Sequence, residues 1–260
     1  MNQQETNKVL LLLAAQGDLK KASEIADYLG VADWQKLPAD KSLFTPTRPY
    51  PAGGIVKDAT ELYAPLGVSF KGVGEKLMRL MLPDGIYLVF GDKAHKLYEP
   101  GKITDEDKAR CTGIAVKMGN KSLVVDLYNM ADGEEITLTN REDKTGWDGY
   151  KDNALDAGAD WDGEGNTKHL LNVGLNPKIV LDRGQFIPSV AQWRFICLFR
   201  KELNQALAEV GGDELTGWYW TSTEYSSTYA WYLFFSSGTI NNYAKASDRY
   251  RVRAVSAFIS

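Results

Sequence analysis

Apolar positions along the chain change period several times. In "LKKASEIADYLG", Ala22, Ile25, Ala26 and Leu29 recur at helical spacing, and a helical reading extends over 5–29. Asp18 stands where it can cap the second segment and Gly30 where it can end it. Over 37–54 the period is lost in "LPADKSLFTPTRPYPAGG", whose prolines and turn formers predict a linker or extended arm. "MLPDGIYLVFGD" predicts a short apolar strand between two turns. "TGIAVKMG" and "SLVVDLYN", rich in β-branched residues and joined at Asn120 and Lys121, predict a hairpin. The helical period returns in "FIPSVAQWRFICLFRKELNQALAEVGG". Ser189 is its natural N-cap with Gln192 at the capping-box position; Phe195, Leu198, Phe199, Leu203, Leu207 and Val210 supply an apolar face, and Gly211-Gly212 stop it. Strands are expected after it over 218–222, 230–236, 240–243 and 251–258.

The strand "AWYLFFSS" carries the most information. Alternation puts Trp231, Leu233 and Phe235 on one face, the expected core side, and Tyr232, Phe234 and Ser236 on the other. The flanking "EYSST" and "SSGTINNYAKASDRY" are too polar for a buried layer, so the second face is expected to meet solvent. Tyr offers a large contact area with few rotatable bonds, and Ser, Gly and Asn offer adaptable hydrogen bonds; together they suit a binding surface.

Composition narrows the classes. The 260 residues are 44% hydrophobic and 25% charged, with a net charge of -4, an ordinary globular balance with room for a sizeable core. Without a basic block, nucleic acid is not an expected partner. "EIADYLGV" suggests half of a helix-turn-helix, but the segment after it contains a proline and only two lysines, so a helical pair for packing or assembly is the better reading. The run Val9 to Ala15 is too short to cross a bilayer and is followed at once by Gln16, Asp18 and two lysines, so neither membrane insertion nor a secretion signal is expected. Cys111 and Cys197 stand far apart and read as buried free thiols. In "DAGADWDGEGNT", Asp156, Asp160, Asp162, Glu164 and Asn166 resemble part of a calcium loop without its bidentate Glu in register; a turn pinned by Asx hydrogen bonds is preferred. His95 and His169 have no Ser or Cys motif nearby, and no catalytic residue, metal or cofactor is expected.

"YWTSTEYSSTYAWYLFFSSGTINNYAKASDRYRVRAVSAF" resembles the variable region of proteins diversified by retroelements, especially those of gut bacteria and their phages. The family pattern corresponds to Tyr219 through Glu224, Ala230-Trp231, Phe235, Gly238, Lys245 and Val252 through Phe258, with Thr221 in place of a Ser and Ser256 at a variable position. "ALDAGADWDGEGNT", "IPSVAQW" and "LNQALAEVGG" extend the resemblance over about Gly113 to Phe258. It implies an α+β chain whose C-terminal domain has the C-type-lectin-like fold, as in phage tropism determinants and formylglycine-generating enzymes. The enzymes of that fold depend on cysteines near its C-terminal end, and no cysteine follows Cys197, so their activity does not carry over.

In such systems adenine-directed copying rewrites Asn codons into codons with any two first bases and a pyrimidine third. That set cannot encode Trp, Lys, Glu, Gln or Met. From Tyr225 to Tyr250 only Trp231 and Lys245 lie outside it, and both are fixed in the family pattern.

The resemblance therefore implies a ligand-binding protein, not an enzyme. Its adjustable contacts would be Thr228, Tyr229, Tyr232, Phe234, Ser236, Ser237, Thr239, Asn241, Asn242, Tyr243, Ala246, Ser247, Asp248, Arg249 and Tyr250. Trp220, Trp231, Leu233, Phe235 and Arg253 would hold the scaffold, with Arg251 and Arg253 tying down the terminal strand. The expected partner is a protein or glycan on a target cell surface, with a homo-oligomer or tail-fibre subunit as assembly partner. Residues 1–54 would be a helical segment and linker, 55–110 a small β-containing attachment region, and 111–260 the variable ligand-binding domain. A place in a phage tail, or in the cytoplasm before assembly, follows. The alternatives are a sulfatase-modifying type of enzyme and a surface-binding domain that is not diversified.

Overall fold

The computed structural model describes residues 82–258 other than 92–93 and 120, together with Ile55–Val56 and the helical positions Ser23 and Ala26. The rest of the helix expected over 5–29, and the linker over 37–54, lie outside the described residues. The described part is mixed α+β, with five α-helices and two antiparallel sheets.

The larger sheet contains β1 (Ile55–Val56), β2 (Gly85–Phe90), β3 (His95–Leu97), β4 (Cys111–Met118), β5 (Lys121–Asp126), β6 (Gln185–Phe186) and β10 (Val255–Ser256). Its strand order is β1-β3-β2-β4-β5-β10-β6. The smaller sheet is the meander β7 (Trp218–Glu224), β8 (Tyr229–Phe234) and β9 (Thr239–Ala244). The hairpin expected around Asn120 is β4–β5, paired from Gly113↔Asp126 to Met118↔Lys121. The boundary expected between 110 and 111 falls within the larger sheet. β2 pairs along β4 from Gly85↔Lys117 to Phe90↔Cys111, so one sheet runs across that point. The reason lies in β2 itself: Ile86, Leu88 and Phe90 enter the main core while Tyr87 enters a second cluster with Leu82, Ala115 and Phe258. A strand apolar on both faces needs an interior position with both sides covered.

The helices are α1 (Asp105–Arg110), α2 (Ala154–Ala159), α3 (Gly163–Val173), α4 (Val190–Cys197) and α5 (Arg200–Val210). Ser189 and Gln192 form the capping box at the start of α4, and Gly211, with φ 80°, is the left-handed cap that ends α5. The single helix expected here is two. The Leu198 and Phe199 N–H groups bond to Phe195 and Ile196 carbonyls, three residues back, and the tightened turn resets the helix. Leu198, expected on the apolar face, is 63% exposed, while Phe199 packs edge-on against Phe195.

Two cores flank the small sheet. Tyr219, Leu233 and Phe235 join the main one, built on Trp193 and the apolar faces of α4, α5, β2 and β4. Trp220, Ala230 and Tyr232 join another with Ile136, Leu138, Leu170, Leu175, Ile187 and Val252. Each buried indole donates its N–H to a backbone carbonyl: Trp193 to Trp220 at 3.0 Å, Trp220 to Ile136 at 2.8 Å and Trp231 to Lys151 at 2.8 Å. The strand expected over 251–258 contracts to β10, because Arg253 turns inward. Its guanidinium is wholly buried and donates to the carbonyls of Asp126 and Asp213 and to Asn129 Oδ1.

Cys111 and Cys197 are free and buried. Burial pushes the Cys197 thiol up to about 12, against the opposing pull of Arg200 and Arg194. Both are therefore expected to resist a thiol reagent at pH 8 in the native protein and to react fully in denaturant; rapid native labelling, followed by the absorbance of the released thiolate, would contradict the buried placement.

Candidate functional site

The register of the small sheet sets three rows of side chains across one face. Trp218, Phe234 and Thr239 form the first; Trp220, Tyr232 and Asn241 the second; Glu224, Ala230 and Tyr243 the third, after an irregularity between Trp220 and Glu224. Aromatic rings fill this face. Tyr232 stacks on Tyr250 at 4.3 Å and on Tyr243 at 5.4 Å, and meets Trp218 edge-on at 5.0 Å. Trp218 also lies against Phe234 at 4.4 Å.

One expected contact is more enclosed than strand alternation predicts. Tyr232 is only 6% exposed, because the strip Ile136–Leu138, helix α3 and Tyr250 form a layer over the face that alternation had assigned to solvent. The polar flanking sequence concealed that layer, most of which comes from distant parts of the chain around Ile136, Leu138 and Leu170. The outer parts of the face remain open: Thr239, Asn241 and Tyr243 are exposed, and Phe234 and Tyr250 half-buried. Ser236 and Ser237 are exposed in the β8–β9 turn, Ser247 and Arg249 are exposed beyond β9, and Ala246 and Asp248 are half-buried there. Tyr229 and Asn242 have the opposite parity. Exposed Tyr229 stands beside half-buried Tyr225, itself edge-on to Trp231, and Thr228 is half-buried in the adjoining turn. The expected contacts thus divide between the two faces of the sheet and its loops. Trp220, Trp231, Leu233, Phe235 and Arg253 are all buried. An open cleft of about 670 Å³, lined by Arg200, Asn204, Thr216, Phe234 and Ser236 among others, borders the surface.

At the end of the sheet lies a buried polar cluster. Glu224 ends β7 and Lys245 follows β9; their side chains, both fully buried, form an ion pair. The loop before α2 closes over them through backbone bonds from Lys151 N to Glu224 O and from Asp143 N to Ser227 O, each 2.9 Å. That loop brings Asp143, whose Oδ2 accepts from Tyr150 OH at 2.6 Å and lies 2.7 Å from His169 Nε2. The same nitrogen is 3.3 Å from Glu224 Oε2, and Trp147 stacks on the imidazole at 4.0 Å. Burial alone would raise Asp143, but hydrogen bonds from Tyr150, Thr145 and His169 outweigh it and hold the carboxyl well below its usual range. Glu224 goes the other way: burial pushes it up despite Lys245 and His169.

Of these residues, Glu224 and Lys245 stand out in the sequence as fixed positions of the family pattern, and Lys245 also as an exception to the codon set. His169 carries no motif, and Asp143, Trp147 and Tyr150 lie in an unpatterned loop. The acidic stretch considered for calcium is differently employed. Asp160 Oδ1 accepts from the Asp162 N–H in an Asx turn, and its Oδ2 accepts from Asn166 Nδ2 and Thr223 Oγ1, each at 2.7 Å. Asp162 caps α3. Comparison with protein-family models, with curated proteins and with solved structures gave no match.

Proposed function

We propose that the chain is a retroelement-diversified ligand-binding protein with a C-type-lectin-like C-terminal fold, a binder and not an enzyme. Its open surface would engage a protein or glycan on a target cell, in a phage tail fibre or a similar display assembly, with the cytoplasm as its place before assembly. The observation that carries the reading is the placement of the two codon exceptions. Trp231 and Lys245, which a pyrimidine-ending codon cannot specify, are buried at 5% and 0% exposure. Every exposed residue between 225 and 250 belongs to the restricted set, including Tyr229, Ser236, Ser237, Thr239, Asn241, Tyr243, Ser247 and Arg249. An ordinary surface strand and its turns would carry Lys, Glu or Gln. A surface made of replaceable positions over a fixed interior is what rewriting without loss of the fold requires. Shallow aromatic contacts of this kind suit multivalent display.

The direct test is the coding DNA. A near-identical template repeat, differing at adenines and lying beside a reverse-transcriptase gene, is expected; ordinary third-base usage at these codons with no such repeat would remove the reading. At the protein level, Asn241→Ala and Tyr243→Ala together should change unfolding free energy by no more than about 1 kcal/mol, as exposed positions do, while abolishing binding to the natural target. A urea melt paired with binding to whole target cells reads both effects.

A further inference from the structure

We propose that Asp143, His169 and Glu224 form a binding site for one divalent transition-metal ion of the zinc class, buried beneath the end of the variable surface. Their candidate ligand atoms come from the loop before α2, from α3 and from the end of β7, and all lie within 4.8 Å of one another. The inference does not depend on the diversification reading.

The decisive atom is Glu224 Oε2. It is buried and has no hydrogen-bond partner, whereas the other oxygen of the same carboxylate is held by Lys245. A buried carboxylate oxygen left without a partner is costly. Oε2 faces His169 Nε2 at 3.3 Å, but that nitrogen lies closer to Asp143 Oδ2, at 2.7 Å. One imidazole N–H has one direction and cannot serve two carboxylates well. A metal ion between them can: it takes the nitrogen lone pair and one oxygen from each acid at once. Zinc bonds of about 2.0–2.2 Å in a tetrahedral arrangement separate ligand atoms by roughly 3.3–3.5 Å. The Nε2–Oε2 pair already has that spacing, and the Nε2–Oδ2 pair would open by roughly 0.7 Å to reach it.

The surroundings are those of an oriented ligand set. Tyr150 OH donates to Asp143 Oδ2, and the Thr145 N–H donates to Oδ1 at 2.7 Å. Lys245 fixes Glu224, and the face of Trp147 holds the His169 ring. Such outer contacts set ligand direction in metal sites. With three protein ligands, the fourth position falls to water. The competing occupant is a proton on His169, which would balance two carboxylates with two cations and leave no place for the metal. The bound ion would tie the 143–151 loop to α3 and to the end of β7, and through the Glu224–Lys245 pair to the end of β9, and so fix the platform under Tyr229 and Tyr243.

The test uses the full chain, stripped with a chelator and titrated with zinc chloride by calorimetry, then with cobalt chloride by visible absorption. One equivalent of zinc at micromolar Kd or tighter is expected, and a four-coordinate cobalt spectrum. His169→Gln should weaken zinc binding by more than about 100-fold, beyond the 10–100-fold typical of an outer-contact change such as Tyr150→Phe. If His169→Gln does not fold, imidazole NMR of the wild-type chain decides. The chain has two histidines, and His95→Gln identifies the His169 signals. Zinc should shift those signals. No uptake by the folded wild-type chain, or uptake that leaves the His169 signals unmoved, would overturn the proposal.

Discussion

Lys245→Met is expected to lower the unfolding free energy by about 3–5 kcal/mol at pH 7, the range for removing one partner of a buried ion pair. The lysine is fully buried and its ammonium pairs with Glu224, also fully buried. Methionine fills most of the volume, so the loss is electrostatic: Glu224 keeps its burial and loses its main counter-charge. The carboxyl is already raised by burial with Lys245 present, and it must rise further without it. A raised acid contributes stability that is present below its unfolded value, about 4.3, and is lost as pH rises through the folded value. The deficit of Lys245→Met relative to wild type should therefore be largest at neutral pH and shrink on acidification towards pH 5. Asp143, held low, has the opposite sign: its contribution is present above about 3.9 and fails only in stronger acid. Urea melts at pH 7 and pH 5, with chelator throughout, separate the two. The double variant Lys245→Met with Glu224→Leu should recover most of the loss, since a buried pair exchanged for apolar residues is often neutral. An equal deficit at both pH values would show that packing, and not charge, is what Lys245 supplies.

Local chemistry made much of this structure readable in advance. The capping box at Ser189, the left-handed stop at Gly211 and the β4–β5 hairpin each depend on residues within a few positions of one another. What failed depends on distant contacts. Whether Tyr232 meets solvent is decided by Ile136, Leu138 and Tyr250 and not by its strand neighbours. The pairing of Gly85–Phe90 with Cys111–Met118 in one sheet likewise joins residues well separated in the chain. The polar cluster is the extreme case, because its members at 143, 150, 169, 224 and 245 share no spacing rule. Only Lys245 and Glu224, at positions matching the pattern that the sequence resembles, marked it.

Trp231→Ala should destabilise by about 3–5 kcal/mol, the range for truncating a buried aromatic. The indole packs with Ala157 and Val190 and against half-buried Tyr225 and Ile240, so removing it opens a cavity between α2, α4 and β8. It also leaves the Lys151 carbonyl, which the indole N–H holds at 2.8 Å, without that donor. Lys151 belongs to the loop that carries Tyr150 over the Asp143–His169 pair, so loosening should spread to the cluster and appear as faster amide exchange there, read by NMR in the folded variant. Tyr232→Ala should fall in the same destabilised class, whereas Tyr243→Ala, one row further out on the same face, should remain near wild type. The contrast separates the two sets of aromatics by burial alone. Equal loss at Tyr232 and Tyr243 would mean that the surface cannot be rewritten independently of the fold, and a fixed binding surface would then be the better description.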